Sequence, residues 1–190
     1  MAASFYAMLS RMKYIKRWGL MRSTREENLS EHSLETAFLA HALAIIGNRR
    51  LGKNYDPQRA ILLALYHDAT EIITGDLPTP IKYDNPAIKS AYKDIETAAQ
   101  GRLLAMLPDD FRADYAEAFA CDEVYHRLIK AADKLSAYIK CIEEENMGNR
   151  EFSVAAASTK QAIDALQVPE ADIFMQEFIP AYRLTLDEQA

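Results

Sequence analysis

The sequence predicts an all-α protein, a helical bundle that forms one domain over residues 1–190. Glycine is scarce, with 6 among 190 residues, and alanine and leucine are plentiful. No stretch alternates apolar and polar residues with the period of two that indicates a half-buried strand. Apolar residues instead recur every three or four positions, which is the spacing of one face of a helix.

The N-terminal part of the chain predicts two helices and carries a concentration of positive charge. A helix over residues 4–16 has apolar residues at helical spacing, namely Phe5, Met8, Leu9, Met12 and Ile15. The second helix is predicted to take Ser30 as its N-cap and to end near Gly47. The first 25 residues contain bases but no acid, as in a mitochondrial transit peptide. We assign them to the domain because no linker follows, and their charge then indicates an anionic ligand.

Proline and glycine mark most of the later helix boundaries. The third helix is predicted to begin at Asp56-Pro57 and to continue without a break to residue 74, where Gly75 ends it. Two prolines make residues 76–80 a loop. Further helices are predicted over residues 86–107, 109–119, 122–147, 152–166 and 170–182.

Composition excludes several classes of protein. The hydrophobic fraction of 49% is ordinary for a globular protein, and a net charge of −6 argues against general affinity for nucleic acids or membranes. No apolar stretch approaches the roughly 20 residues that a membrane span needs. Cys121 and Cys141 stand outside any Cys-x-x-Cys or Cys/His cluster, which predicts reduced thiols in a cytoplasmic protein.

The most informative residues are His67 and Asp68, which follow the apolar run 60–66. An ionisable pair in a buried helix needs compensation, and a divalent cation supplies it. His32 begins the apolar stripe of the second helix, and Asp133 lies on an apolar face of the long helix. Each residue alone is also explained as a hydrogen-bonded or paired core residue. Together the two histidines and two aspartates form a mixed set of charge −2 that suits a divalent cation and leaves positions for water and substrate.

Taken in order, His32, the pair His67-Asp68 and Asp133 resemble the signature of the HD-domain metal-dependent phosphohydrolases. The resemblance covers nearly the whole chain and is strongest to the bacterial 5′-deoxynucleotidases of that superfamily. It is carried by residues 9–11, 17–18, 30–34, 66–71, 74–80 and 174–188. It implies a single HD-type domain and one divalent transition metal per subunit, such as Co²⁺ or Mn²⁺. It also implies a cytoplasmic homodimer in deoxynucleotide salvage.

The resemblance also implies a role for each matching residue. The metal ligands would be His32, His67, Asp68 and Asp133, and the catalytic acids would be Glu71 and Asp76. The substrate contacts would be Arg17, Trp18, His32, Asp76, Leu77, Pro78, Thr79 and Asp133. From the residues alone, the apolar surroundings of His67 argue against Glu71 being a surface carboxylate. The residues alone favour a turn residue for Asp76 and a core anchor for Trp18.

The expected activity is hydrolysis of deoxyribonucleoside 5′-monophosphates by attack of a metal-bound water. We expect broad tolerance of the base and selection against ribonucleotides. Two alternatives stay open, an HD-type nucleotide phosphodiesterase and a non-enzymatic module that binds metal or nucleotide. A Gly-Tyr-Pro signature would favour the first and is absent from the sequence, whereas Glu71 and Arg17-Trp18 favour catalysis over the second. No recognition motif supports binding of a nucleic-acid polymer.

Overall fold

The structure is a computed structural model that describes residues 3–78, 81 and 85–189. The regular secondary structure of these residues is helical. In these ranges the single β-like feature is an isolated antiparallel bridge between Lys16 and Asn28. The all-α prediction is confirmed. None of the helices in the described ranges has both the length and the hydropathy that crossing a bilayer requires.

The α-helices are numbered here in chain order. They are α1 (Phe5–Leu9), α2 (Leu29–Arg50), α3 (Pro57–Tyr66), α4 (Glu71–Thr74), α5 (Pro86–Leu104), α6 (Arg112–Phe119), α7 (Glu123–Asn146), α8 (Ser153–Leu166) and α9 (Pro169–Glu177). Short 3₁₀ helices cover Ser10–Tyr14, Asp109–Phe111, Arg150–Phe152, Ile179–Arg183 and Leu186–Glu188.

The predicted first helix over residues 4–16 is wrong in its second half. The α-helix stops at Leu9, and a 3₁₀ helix then continues to Tyr14. At Ile15 the backbone becomes extended, and its carbonyl accepts a hydrogen bond of 2.9 Å from the Leu29 amide. Backbone hydrogen bonding to the residues at the start of α2 therefore replaces the last turn of the predicted helix.

The limits of α2 also differ from the prediction. Its N-cap is Asn28 rather than Ser30, because the Asn28 side chain accepts from the Ser30 and Glu31 amides and Glu31 completes a capping box. Gly47 lies inside the helix, which continues to Arg50. A Cβ at Gly47 would lie 2.5 Å from the ring of Tyr55, so this glycine allows a close contact rather than ending the helix.

The main core lies where α2 packs against α3 and α7, while α7 also packs against α8. Its largest buried side chains include Leu43, Leu63, Leu128, Leu135, Ile142, Ile163 and Phe174. A second cluster joins Phe5 to Ala69, Leu103 and Leu107. This cluster packs the N-terminal segment against the turn that follows α3.

The segment after Trp18 is held against α7 by one buried carboxylate, that of Glu144. Glu144 accepts hydrogen bonds from the Thr24 amide at 2.8 Å, from Asn149 Nδ2 at 2.8 Å and from Lys140 Nζ at 2.5 Å. Burial opposes ionisation of this carboxyl, but the hydrogen bonds prevail and lower its pKa to about 2. The charged form of Glu144 therefore contributes to folding stability.

We expect Glu144→Gln to lower the free energy of unfolding by about 3–5 kcal/mol at pH 7, because Lys140 loses its buried counter-charge. The folded-state pKa lies below the reference value of 4.5, so the contribution is complete above pH 4.5 and is lost towards about pH 2. Urea unfolding from pH 7 to pH 2 should show the wild-type advantage shrinking over that window. Asp164→Asn, which removes an exposed pair with Lys160, should change stability by less than about 1 kcal/mol. A constant advantage at every pH would contradict the assignment.

Candidate metal centre and substrate site

Four potential metal ligands converge, of which His32 is buried and the other three are half-buried. His32 lies in the first turn of α2, His67 and Asp68 directly follow α3, and Asp133 lies within α7. Each offers one nitrogen or oxygen atom, and these atoms all lie within 4.8 Å of one another. The structure therefore brings together the four residues that the sequence pattern selected.

The atoms of this group face a common point. His32 Nε2 lies 3.2 Å from Asp133 Oδ1 and 3.6 Å from Asp68 Oδ2. His67 Nε2 lies 3.1 Å from the same Asp68 oxygen. Two imidazole nitrogens and two carboxylates in this arrangement form the nitrogen and oxygen set that first-row transition metals accept.

The regular α-helix is interrupted over residues 67–70, which begin with His67 and Asp68. Helix α3 ends at Tyr66 and α4 begins at Glu71, so the predicted unbroken helix over residues 57–74 is wrong here. In this turn the Glu71 amide donates to the Asp68 carbonyl at 2.9 Å, a bond between residues three apart. A regular helix places adjacent side chains about 100° apart, yet His67 Nε2 lies 3.1 Å from Asp68 Oδ2, because the long imidazole reaches towards the short carboxylate.

The orientation of His67 suits a metal ligand. Its Nδ1 lies 2.7 Å from the Ala64 carbonyl, so Nδ1 carries the proton and donates. Its Nε2 is buried and makes no well-aligned hydrogen bond in the described parts of the chain, although Asp68 Oδ2 lies 3.1 Å away. A backbone carbonyl behind a ligating imidazole is a common way to fix the tautomer and direct the other nitrogen at a metal. The residues present therefore fit a divalent cation.

Electrostatics keep both carboxylates of the group ionised. Burial disfavours the charged form of His67, but the Asp68 carboxylate outweighs it and raises the pKa of His67 to about 9. Burial likewise opposes ionisation of Asp68 and Asp133, yet the neighbouring histidines, and Lys134 beside Asp133, hold the pKa of each carboxyl below its usual range. The two carboxylates supply the charge of −2 that a divalent cation balances, and His67 would lose its extra proton on binding the cation.

Ser136, which the sequence pattern does not indicate, lies behind His32 and supports it. His32 Nδ1 lies 3.1 Å from Ser136 Oγ, and this hydroxyl donates onward to Glu35 Oε2 at 3.1 Å. The Ser136 oxygen therefore accepts from His32, which leaves Nε2 directed at Asp133. The position of Ser136 in the sequence could have indicated this role, because Ser136 lies three residues after the candidate ligand Asp133 on the same helix.

Arg17 and Trp18 lie at the edge of the candidate metal centre. Arg17 Nη1 lies 3.5 Å from Asp68 Oδ2, and the Trp18 ring packs on Phe152 with 5.2 Å between centroids. Both residues also contact Glu27, which sequence analysis missed because its only signal is its place beside the N-cap of α2. The Trp18 indole nitrogen donates to Glu27 Oε2 at 2.7 Å, and Arg17 Nε lies 3.2 Å from Glu27 Oε1.

The site contains a buried positive charge in Arg17. Burial would lower the pKa of Arg17, but the surrounding carboxylates, led by Asp68 and Glu27, outweigh burial and raise it. Burial would raise the pKa of Glu27, but His32 and Arg17 lower it. Arg17 therefore remains a charged, forked donor of the kind that binds phosphate oxygens.

The remaining predicted residues lie in and after α4. Glu71 is buried, with 4% of its surface exposed, as the first residue of that helix. Asp76 is half-buried, and its charge contributes to the raised pKa of Arg17. Leu77 and Pro78 are half-buried in the following loop, and Thr79 lies outside the described residues.

Comparison with known proteins agrees with this geometry. Residues 4–182 match the family described as 5′-deoxynucleotidase YfbR-like. A 5′-deoxynucleotidase of Yersinia pestis is 52% identical over 191 residues, which cover 97% of this chain and 95% of that protein. Similarity of this kind extends over almost the full length of both chains.

Solved structures support the same fold. An HD-domain phosphohydrolase from Listeria innocua superposes with a TM-score of 0.82 at 19% identity, covering 94% of this chain and 88% of that one. An HD phosphohydrolase of cyanophage S-2L, bound to dA and one catalytic Zn²⁺ ion, gives a TM-score of 0.68 at 21% identity, covering 94% and 96%. At these identities the likeness establishes the architecture.

Proposed function

The chain belongs to the YfbR-like family of 5′-deoxynucleotidases, and we propose that it hydrolyses deoxyribonucleoside 5′-monophosphates to deoxyribonucleosides and phosphate. It is a metal-dependent phosphoric monoester hydrolase of the HD-domain type. The observation that carries the proposal is the convergence of two histidines and two aspartates beside a buried arginine. The proposal covers the whole chain as one domain.

The proposed metal ligands are His32, His67, Asp68 and Asp133, and they would hold one divalent cation. When bound, such a cation lowers the pKa of water and stabilises negative charge on phosphoryl oxygens. We further propose Co²⁺ or Mn²⁺, because imidazole and carboxylate ligands suit either ion. His32 and Asp133 would also lie close to the substrate phosphate.

Arg17 would bind the phosphate through its terminal nitrogens. A nucleoside monophosphate carries nearly two negative charges at neutral pH, and Arg17 keeps its positive charge in the site. Glu71 would accept a proton from the attacking water, and Asp76 would orient that water in line with the leaving 5′-oxygen. A new P–O bond forms, the P–O5′ bond breaks, and the proton passes to the leaving oxygen. No covalent enzyme intermediate is required.

Selection of the sugar would depend on Trp18 and on the loop residues Leu77, Pro78 and Thr79. In this proposal the loop leaves no room for a 2′-hydroxyl, so deoxyribose is accepted and ribose rejected. No strongly base-reading element is proposed, and purine and pyrimidine deoxynucleotides should be turned over at comparable rates. The resemblance to bacterial 5′-deoxynucleotidases supports a cytoplasmic homodimer as part of the same proposal.

Phosphate release from dAMP and from AMP tests the proposed function. Metal-stripped protein should be inactive, and Co²⁺ or Mn²⁺ should restore release from dAMP but not from AMP. Release from both would contradict selection by the sugar, and release from neither would contradict the nucleotidase. Rates that differed by orders of magnitude between dAMP and a pyrimidine deoxynucleotide would contradict broad tolerance of the base.

A further inference from the structure

We infer that Glu27 is a positioning residue that holds Arg17, Trp18 and His32 in one arrangement for substrate binding. The inference rests on the proposed function, because it assigns the substrate phosphate to Arg17. Glu27 is not among the residues that the sequence pattern or the family resemblance selected. Its carboxylate contacts the proposed substrate residues Arg17 and Trp18 and the proposed metal ligand His32.

The two oxygens of Glu27 divide these contacts between them. Oε2 accepts a hydrogen bond of 2.7 Å from the Trp18 indole nitrogen. Oε1 lies 3.2 Å from Arg17 Nε and 3.4 Å from His32 Nδ1. The Glu27 side chain is 10% exposed, so these contacts are largely shielded from water and are worth more than exposed ones.

The backbone holds Glu27 opposite its partners. The Arg17 amide donates to the Glu27 carbonyl at 3.0 Å, and the Leu29 amide donates to the Ile15 carbonyl at 2.9 Å. These two bonds join the segment that carries Arg17 and Trp18 to the chain that begins α2. The same short pairing therefore sets the distance between the Glu27 carboxylate and the residues it contacts.

Trp18 has an unusual backbone conformation that such contacts explain. Its φ is +58°, in the left-handed region that bulky side chains rarely adopt. A strained conformation persists when the surroundings over-determine it, and such residues cluster at functional sites. The hydrogen bond to Glu27 and the packing on Phe152 at 5.2 Å provide that restraint.

The contact with Glu27 also determines which edge of Arg17 faces the substrate. Glu27 lies at Nε, and Nη1 lies 3.5 Å from Asp68 Oδ2, so the guanidinium tip points to the candidate metal centre. Without Glu27 the guanidinium could rotate and pair more closely with Asp68. Arg17 would then bind phosphate less well.

The emission of Trp18 provides a test that does not depend on turnover. The chain contains 1 tryptophan, so intrinsic fluorescence reports on Trp18 alone. In metal-free protein, Glu27→Ala should shift the emission to longer wavelength and increase quenching by acrylamide. Glu27→Gln retains an acceptor for the indole and should change the emission less. Inorganic phosphate, titrated into the metal-loaded protein, should bind about 10- to 100-fold more weakly to both variants.

Kinetics with dAMP separate positioning from a purely structural role. Both Glu27 variants should lose about 10- to 100-fold in kcat/KM, with the larger part in KM because Arg17 binds the phosphate. The matched control is Glu26→Gln, since the neighbouring Glu26 pairs with Lys16 at 2.6 Å on the surface. This control should match wild type in emission, phosphate affinity and kinetics.

The outcomes separate the two proposals. Wild-type emission and phosphate affinity in both Glu27 variants would overturn the inference even if the enzyme is active. A wild-type protein that releases no phosphate from dAMP would overturn the proposed function, while emission and phosphate binding still decide the role of Glu27. If Glu27→Ala does not fold, phosphate affinity and kcat/KM of Glu27→Gln decide the question alone.

Discussion

Asp133→Ala is expected to abolish bound metal and activity together. Asp133 Oδ1 lies 3.2 Å from His32 Nε2, and removing this carboxylate takes away one of four proposed ligands and half of the group's negative charge. Residues that only support a metal ligand cost about 10- to 100-fold in affinity when mutated, so loss of a ligand should exceed about 100-fold. Metal analysis of the purified protein and titration with Co²⁺ would measure the effect.

The control for this experiment is Asp164→Ala. Asp164 forms an exposed pair with Lys160 at 3.1 Å on α8, far from any proposed ligand in sequence. This variant should bind one metal per chain and keep wild-type kcat. Circular dichroism should establish that the Asp133 variant is folded. A folded Asp133 variant with a full complement of metal would mean that the proposed ligand set is wrong.

Glu71→Gln is expected to retain metal and to lose kcat by about 100- to 10,000-fold, the range typical for loss of a general acid or base. The substitution keeps the size of the side chain and removes its ability to accept a proton. Glu71 is buried at the start of α4, and its amide bonds to the carbonyl of Asp68 at 2.9 Å. Single-turnover kinetics and metal analysis on the same preparation would separate the chemical step from metal loss.

Asp76→Asn distinguishes the two candidate acids in this mechanism. If Glu71 accepts the proton and Asp76 orients the water, the Asp76 variant should lose less than the Glu71 variant. The opposite order, with Glu71→Gln within about fivefold of wild type and Asp76→Asn inactive, would assign proton transfer to Asp76. Loss of metal from Glu71→Gln would instead make Glu71 a fifth ligand and contradict its proposed role.

Much of the fold was predictable because helix signals are local. Asp56 begins α3 as predicted, since its side chain accepts the Gln58 amide in the first turn. The end of α2 was not predictable from Gly47, because this glycine provides room for Tyr55 from outside the helix. A glycine that ends a helix and one that permits packing look alike in a single sequence.

The chemistry of the candidate site was also partly predictable. His32, His67, Asp68 and Asp133 stood out because ionisable residues are rare on apolar helix faces, and the structure places all four together. Their metal-binding role stays a prediction that the Asp133 experiment tests. Glu27 did not stand out, because an acid beside a helix N-cap is common on protein surfaces.

Local sequence patterns are sufficient to predict the all-α class, most helix positions and the identity of the converging polar residues, because periodicity and capping are properties of neighbouring residues. Tertiary structure alone decided that the chain turns at His67-Asp68, that Trp18 adopts a φ of +58° and that Glu27 faces the site. These features depend on packing between segments that are distant in sequence or joined by a non-helical turn. Single-residue preferences do not specify such packing, because the contacts that stabilise it form only in the assembled core.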